Sequence, residues 1–183
     1  MENPYFFKLK ITAIINQMLT EIRKSKPEDI DRMLTIFSLA KQYMRETGNP
    51  TQWSGPYPTE EDIMGDIEDG VSYVGLNERG EVVMTFVFIL GEDPTYKIIT
   101  EGEWLNEEPY GTIHRIASDG SERGVVGKAC DFGFNFTNNI RIDTHKDNSP
   151  MQKALKDLNF VKCGNIICRN GTPRVAFQKV KTN

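Results

Sequence analysis

Along this chain the apolar positions switch between a period of two and a period near 3.6, and the switches mark out its elements. Residues 19–23 read as a short strand. Ser25, Pro27 and Glu28 then start a helix in which Ile30, Met33, Leu34, Phe37, Ala40 and Met44 keep one apolar face, and Gly48-Asn49-Pro50 ends it. Thr59, Glu60, Glu61 and Asp62 cap a second helix that runs through Ile63 and Ile67. Strands follow at 71–76 and 81–90, joined by the hairpin signal Asn77-Glu78-Arg79-Gly80. The run from Met84 to Leu90 is apolar on both faces, as a central strand requires. An acidic connection, 91–109, carries a small hairpin or helix around Tyr96 to Trp104, and its length is of the kind that goes with a lid or an interface. A strand at 112–117 leads through Asp119-Gly120-Ser121 into a helix with Val126, Ala129, Cys130, Gly133 and Phe136 on one face. A strand at 140–144 precedes a helix opened by Asn148-Ser149-Pro150 and striped by Met151, Leu155 and Leu158. Residues 160–168 and 173–180 form a terminal hairpin around Asn170-Gly171. The order of strands and helices makes this an α/β chain.

Composition narrows the class. With 183 residues and 38% hydrophobic content the chain closes one sizeable core, and no repeat or low-complexity linker divides it. A net charge of −4, a pI near 5.3 and the lack of a dense Lys/Arg block give nucleic-acid binding little electrostatic basis. The odd set Cys130, Cys163 and Cys168 reads as reduced thiols in a cytoplasmic protein. Cys163 and Cys168 with His114 and His145 match no standard zinc spacing, so no metal is expected. The opening segment, 1–17, is too short and too interrupted by Lys8 and Lys10 to span a membrane, and it lacks the small-residue cleavage site of a signal peptide. It reads as an N-terminal extension to a single domain at 18–183.

The chemistry concentrates between residues 112 and 136. A strand that feeds a helix through a turn holding Gly120, Gly124 and Gly127 leaves unpaired N–H groups and the positive end of the helix dipole facing outward, a site for phosphate. An ordinary glycine turn gives the same pattern. Lys128 is followed by Ala129 without the glycine a Walker loop needs upstream, and no G-x-G-x-x-G sits in a βαβ unit. The stretch Glu122-Arg123-Gly124-Val125-Val126-Gly127 resembles the acetyl-CoA loop Q/R-x-x-G-x-G/A of the GNAT N-acetyltransferase superfamily, with Glu122 at the Gln/Arg position and Val125 at the first glycine. Downstream, the strand, Asn148, the helix and Phe160 follow in the order and spacing of that family.

The resemblance implies a mixed, mostly antiparallel, strongly twisted sheet of about seven strands with helices on both faces. It implies an acetyl-CoA-dependent enzyme that acetylates a primary amine of a small molecule or peptide; the alternative is a catalytically silent CoA-binding module. Acetyl-CoA would lie where the fourth and fifth strands part. Ile116 and Ala117 would offer backbone groups to pantetheine and the thioester, and Arg123, Gly124, Val125, Val126, Gly127 and Lys128 would hold the pyrophosphate. Asn148 would bond the pantetheine arm, cap its helix, or both. Trp53 and Tyr57, in the loop between the first two helices, are either walls of the acceptor pocket or a lid over the core. Family members often protonate the leaving thiolate with a Tyr at the position of Leu155, which carries no proton to give. His114 on the fourth strand and His145, on the face of the fifth that also carries Arg141 and Asp143, are the proton-transfer candidates, with a structural role as the alternative for each. The expected partners are the amine acceptor and no nucleic acid or membrane, with a homodimer left open.

Overall fold

The computed structural model describes residues 19–181; the extension at 1–17 lies outside them. Seven strands form a single sheet in the order β1-β2-β3-β4-β5-β7-β6. They are β1 (Leu19–Lys24), β2 (Ser72–Asn77), β3 (Val82–Leu90), β4 (Gly111–Ser118), β5 (Asn139–Thr144), β6 (Val161–Ile167) and β7 (Pro173–Val180). Every neighbouring pair is antiparallel except β4 and β5. Among the described residues four α-helices accompany the sheet: α1 (Ile30–Glu46), α2 (Glu60–Glu68), α3 (Val125–Gly133) and α4 (Ser149–Asp157).

Strand alternation divides the core by face. Met84, Phe86, Phe88, Ile113, Ile140, Ile142 and Phe177 gather with Ala129 and Cys130 of α3 and Leu155 of α4. The opposite face carries two clusters. Ile30, Met33, Ile36 and Phe37 of α1 and Ile63 of α2 pack on Val74, Leu76, Val82 and Ala117 over the β1–β4 half. Tyr96, Trp104 and Tyr110 pack on Cys163, Ile166 and Ala176 over the other half.

Those three aromatics explain the 91–110 connection. In place of a hairpin or a regular helix it folds as a single 3-10 turn at Pro94–Tyr96 and one bridge from Thr100 to Asn165. Tyr96 stacks on Trp104 and Tyr110 at 5.4 and 6.4 Å, and the Arg141 guanidinium lies 4.2 Å from the Trp104 ring and 3.9 Å from the Tyr110 ring. Burial of these rings, with the indole N–H donating to the Tyr96 carbonyl at 3.1 Å, fixes the segment in an irregular path.

The helix starts follow the sequence. Thr59 and Asp62 form a reciprocal capping box on α2, at 3.1 and 2.7 Å. Asn148 caps α4 by accepting the Met151 N–H at 3.1 Å. Gly124, at φ 67°, turns the chain into α3 through the left-handed region, where a side chain would be strained.

Candidate functional site

The sheet splits in the middle. β4 and β5 pair only at Gly111 with Ile140 and Thr112 with Arg141, then diverge. Beyond Thr112 the β5-facing backbone of β4 has no strand partner, so the wedge is lined with N–H and C=O groups. On its other edge β4 carries a bulge, because the pairing with β3 shifts between Thr85 and Val87. Arg115 sits in that bulge at φ 51°, a conformation uncommon outside glycine. Ile116 and Ala117 follow it; Ile116 packs toward the α3–α4 face and buried Ala117 toward α1 and α2.

The wide end of the wedge leads to the start of α3. The first backbone bond into this helix is Lys128 N–H to the Gly124 carbonyl, at 3.0 Å, so Val125, Val126 and Gly127 have no preceding turn to donate to. A Cβ built at Gly127 would stand 3.4 Å from Leu158 of the neighbouring helix, an ordinary contact. Lys128 is committed to the buried Glu122 carboxylate, whose Oε1 has no partner. Val125, Val126 and Gly127 thus present N–H donors at the positive end of the helix. The unpaired β4 backbone and this helix start follow one another along the chain, with the turn at residues 119–124 between them.

At the narrow end, on the face away from α3 and α4, His114 reaches across the split. Its Nε2 lies 2.8 Å from Asp93 Oδ2 and its Nδ1 3.5 Å from Asp143 Oδ1 on β5. Both nitrogens face carboxylate oxygens, which only accept, and this favours the doubly protonated ring. Burial works against that charge, but the bonds and charges of Asp143 and Asp93 overcome it and raise the pKa to about 9. Asp93 is fixed in turn by Thr95, through N–H at 2.9 Å and hydroxyl at 2.7 Å. Asp143 accepts the buried Tyr96 hydroxyl at 2.8 Å, with Arg174 Nε and Cys168 Sγ each 3.9 Å from Oδ2. Burial opposes the charge on both carboxylates, yet their bonds to His114 hold both below the usual range. Burial and then the charge of Asp143 push the Cys168 thiol up to about 11. His145 stands apart from this cluster: its Nδ1 accepts the Asp147 N–H at 3.2 Å, and burial and then the charge of Arg174 lower its pKa. It is neutral at pH 7, with its lone pair already engaged.

The α1–α2 side of the split is tied down by Arg115. Its guanidinium clasps both oxygens of Asp66 on α2 and donates to the Tyr57 hydroxyl at 2.7 Å. Desolvation raises the Asp66 pKa against the pull of Arg115. Tyr57 is partly exposed beside this clasp, whereas Trp53 packs edge-on to Phe37 at 5.6 Å within the α1–α2 core. Gln52 Oε1 accepts amide protons from Asn49 at 2.8 Å and from Asn148 at 2.9 Å, which ties this loop to α4 across the wedge. Both side-chain atoms of Asn148 are therefore in use. Outside the clasp, an open cleft of about 850 Å³ is lined by six carboxylates of the α2 region, Glu60, Glu61, Asp62, Asp66, Glu68 and Asp69, together with Arg115 and Arg169.

Asp93, Tyr96, Arg174, Asp66 and Gln52 carry no local motif. Asp143 reaches the ring from β5, and Asp93 reaches it from 21 residues away through an irregular segment. Among the described residues, no group of His, Cys, Asp and Glu is arranged to hold a metal ion, and no helix is long and apolar enough to cross a membrane.

A split mixed sheet whose open strand runs to a bare helix start is the architecture of an acyl-CoA-binding transferase. Comparison with solved structures agrees. A GNAT-family acetyltransferase from Streptococcus agalactiae 2603 is 31% identical over 92% of this chain and all of its own, with a TM-score of 0.78. A second, from Listeria monocytogenes 4b F2365, is 19% identical over 87% of this chain and 94% of its own, at TM-score 0.63. AAC(6')-Ib, solved in complex with ribostamycin and coenzyme A, is 16% identical over 87% of this chain and 92% of its own, at TM-score 0.61. No protein-family model and no curated protein matches the sequence. The chain belongs to the GNAT family of acetyltransferases.

Proposed function

We propose that this protein transfers the acetyl group of acetyl-CoA to a primary amine of a small cationic molecule or peptide. The observation that carries the reading is the parting of β4 from β5 after Thr112, which leads through one turn to the Gly124–Gly127 helix start. On this reading Ile116 and Ala117 bond the pantetheine arm and orient the thioester carbonyl through main-chain N–H groups. Arg123, Gly124, Val125, Val126 and Gly127 hold the pyrophosphate, and Lys128 adds charge there by loosening from Glu122. Asn148 serves pantetheine by exchanging its bond to Gln52 for one to the cofactor.

The acceptor arrives on the opposite side of the split, past Tyr57 and Arg115. The carboxylates of the α2 cleft favour a substrate with several ammonium groups, since each attracts positive charge and only two arginines oppose them. The binding of coenzyme A and ribostamycin by AAC(6')-Ib, on the same fold, supports a cationic small molecule as the second substrate. The holding of amine and thioester together at the wedge accounts for much of the acceleration such a reaction needs. A screen of mono-, di- and polyamines with acetyl-CoA, followed by thiol release, tests the reading. Turnover with at least one amine is expected. A protein that is stabilised by CoA but releases no thiol with any acceptor would instead be the silent binding module, for which buried Leu155 in the usual Tyr position is the favouring observation.

A further inference from the structure

We propose that Asp93 and His114 act as a proton-donating dyad, in which Asp93 orients the ring through Nε2 and the Nδ1–H of His114 protonates the departing sulfur of coenzyme A. The inference rests on the acetyl-CoA reading above and adds the acid that Leu155 cannot supply.

Placement comes first. The helix start of α3 marks the phosphate end of the wedge, and the last β4–β5 pair, Thr112 with Arg141, marks its closed end. His114 stands two residues beyond that closure, on the face from which the acceptor comes. The thioester of an extended pantetheine arm is the end remote from the phosphates, so it lies near this ring.

The two ring nitrogens are unequal. Nε2 is held by Asp93 at 2.8 Å, an ordinary charge-assisted bond. Nδ1 is 3.5 Å from Asp143 Oδ1, beyond normal hydrogen-bond length, and that oxygen already accepts the Tyr96 hydroxyl at 2.8 Å. The Nδ1 proton is thus held more loosely than the Nε2 proton, at the longer reach of an oxygen it shares with Tyr96, while the side chain keeps 23% of its surface exposed. One nitrogen anchored by a carboxylate and the other left to work is the arrangement of an oriented acid or base. The groups around the ring fix which of the two it is. Asp93 from the 91–110 connection and Asp143 from β5 hold the proton on; Arg174 from β7 and Cys168 after β6 reach Asp143 rather than the ring, and the Tyr96 ring stands T-shaped to it with centroids 5.8 Å apart. A pKa of about 9 keeps the ring charged at neutral pH, close to the 8.5 typical of a thiol, so transfer between them is nearly balanced.

The step conserves atoms and charge. The neutral amine attacks the thioester carbon, a C–N bond forms and the C–S bond breaks with its electron pair on sulfur. Nδ1 gives its proton to that sulfur, the new amide nitrogen loses its extra proton to solvent, and His114 regains one from solvent.

A fixed imidazolium beside the sulfur also lowers the thiol pKa of bound CoA, which can be read without an acceptor from thiolate absorbance near 240 nm. Titration of CoA bound to the wild-type protein should show a thiol pKa at least about one unit lower than in His114→Gln. Asp93→Asn, which leaves the ring in place but weakens its hold on the proton, should fall between them. With an active amine, His114→Gln should lose at least tenfold in kcat with the KM for acetyl-CoA within twofold. Asp93→Asn should move the alkaline limb of kcat to lower pH. An identical thiol pKa in the wild type and both variants, or unchanged kcat and pH profile, overturns the dyad while leaving the acetyltransferase reading intact. Failure of the wild type to bind CoA overturns both.

Discussion

His114 ties its charge to the fold, so its titration should register in stability. In the unfolded chain a histidine releases its proton near 6.5, whereas here it holds on to about 9. The stabilisation from the Asp93–His114–Asp143 contacts is therefore fully present below about pH 6.5 and is lost as pH rises through 9. The Tm difference between wild type and His114→Gln should shrink across that interval in thermal melts; a constant difference would mean the ring is not charged in the native state. Asp93 and Asp143, both held low, contribute in the opposite sense, above the ordinary carboxylate range and less as pH falls through it. Trp53 makes a different residue-scale case. Its contact with Phe37 belongs to the α1–α2 core, and loss of a half-buried indole costs about 1–3 kcal/mol, less than the value for full burial. Trp53→Ala should lower the Tm by several degrees with CoA affinity unchanged, as chemical denaturation and calorimetry would show. A raised acceptor KM in the same variant would add a pocket-wall role to the structural one.

At the scale of elements, the start of α3 is where sequence and structure meet most directly. Gly124 takes a left-handed conformation that the turn requires, whereas a methyl at Gly127 would only touch Leu158. Gly127→Ala should therefore keep the rise in Tm produced by acetyl-CoA, and Gly127→Glu, which sets a negative charge at the helix mouth, should abolish it. Equal responses would remove residues 123–127 from the phosphate site. Most elements were legible because each rests on a local signal: the Thr59–Asp62 capping box, Asn148 before Pro150, the turn at Asn170-Gly171, and the apolar stripe of α1. The 91–110 connection was not, because its order comes from Tyr96, Trp104 and Tyr110 packing on β6 and β7, contacts with no periodic trace. The candidate site divides along the same line. His114 and the glycine turn could be singled out from residue type and order. The Asp93 bond to His114 and the Arg115 clasp on Asp66 and Tyr57 arise only when distant segments meet.

For the molecule as a whole, the separation of charge across the sheet makes a prediction about the acceptor. The α3 mouth, with Arg123 beside it, suits a polyanionic cofactor, while the α2 cleft gathers six carboxylates against Arg115 and Arg169. On the proposed reading, two substrates of opposite charge would be drawn to opposite sides of one wedge. Glu61 and Glu68 are exposed on the cleft and carry no part of the Arg115 clasp, so reversing them tests attraction at the cost of one favourable charge in the first turn of α2. Each exposed charge contributes about 0.2–1 kcal/mol to a contact of this kind. The double change Glu61→Lys with Glu68→Lys should then raise the KM for a polyamine roughly two- to thirtyfold, leave kcat within about twofold, and barely alter the KM for a monoamine. Salt should act in the same direction on the wild type, because the Debye length contracts from about 10 Å at 0.1 M to about 3 Å at 1 M. In the double variant that salt dependence should flatten. Steady-state rates with spermidine and with a simple monoamine, each at low and high salt, measure all of these at once. If polyamine and monoamine respond alike, the acceptor does not use the α2 cleft, and the approach past Tyr57 must be sought on the α1 side instead.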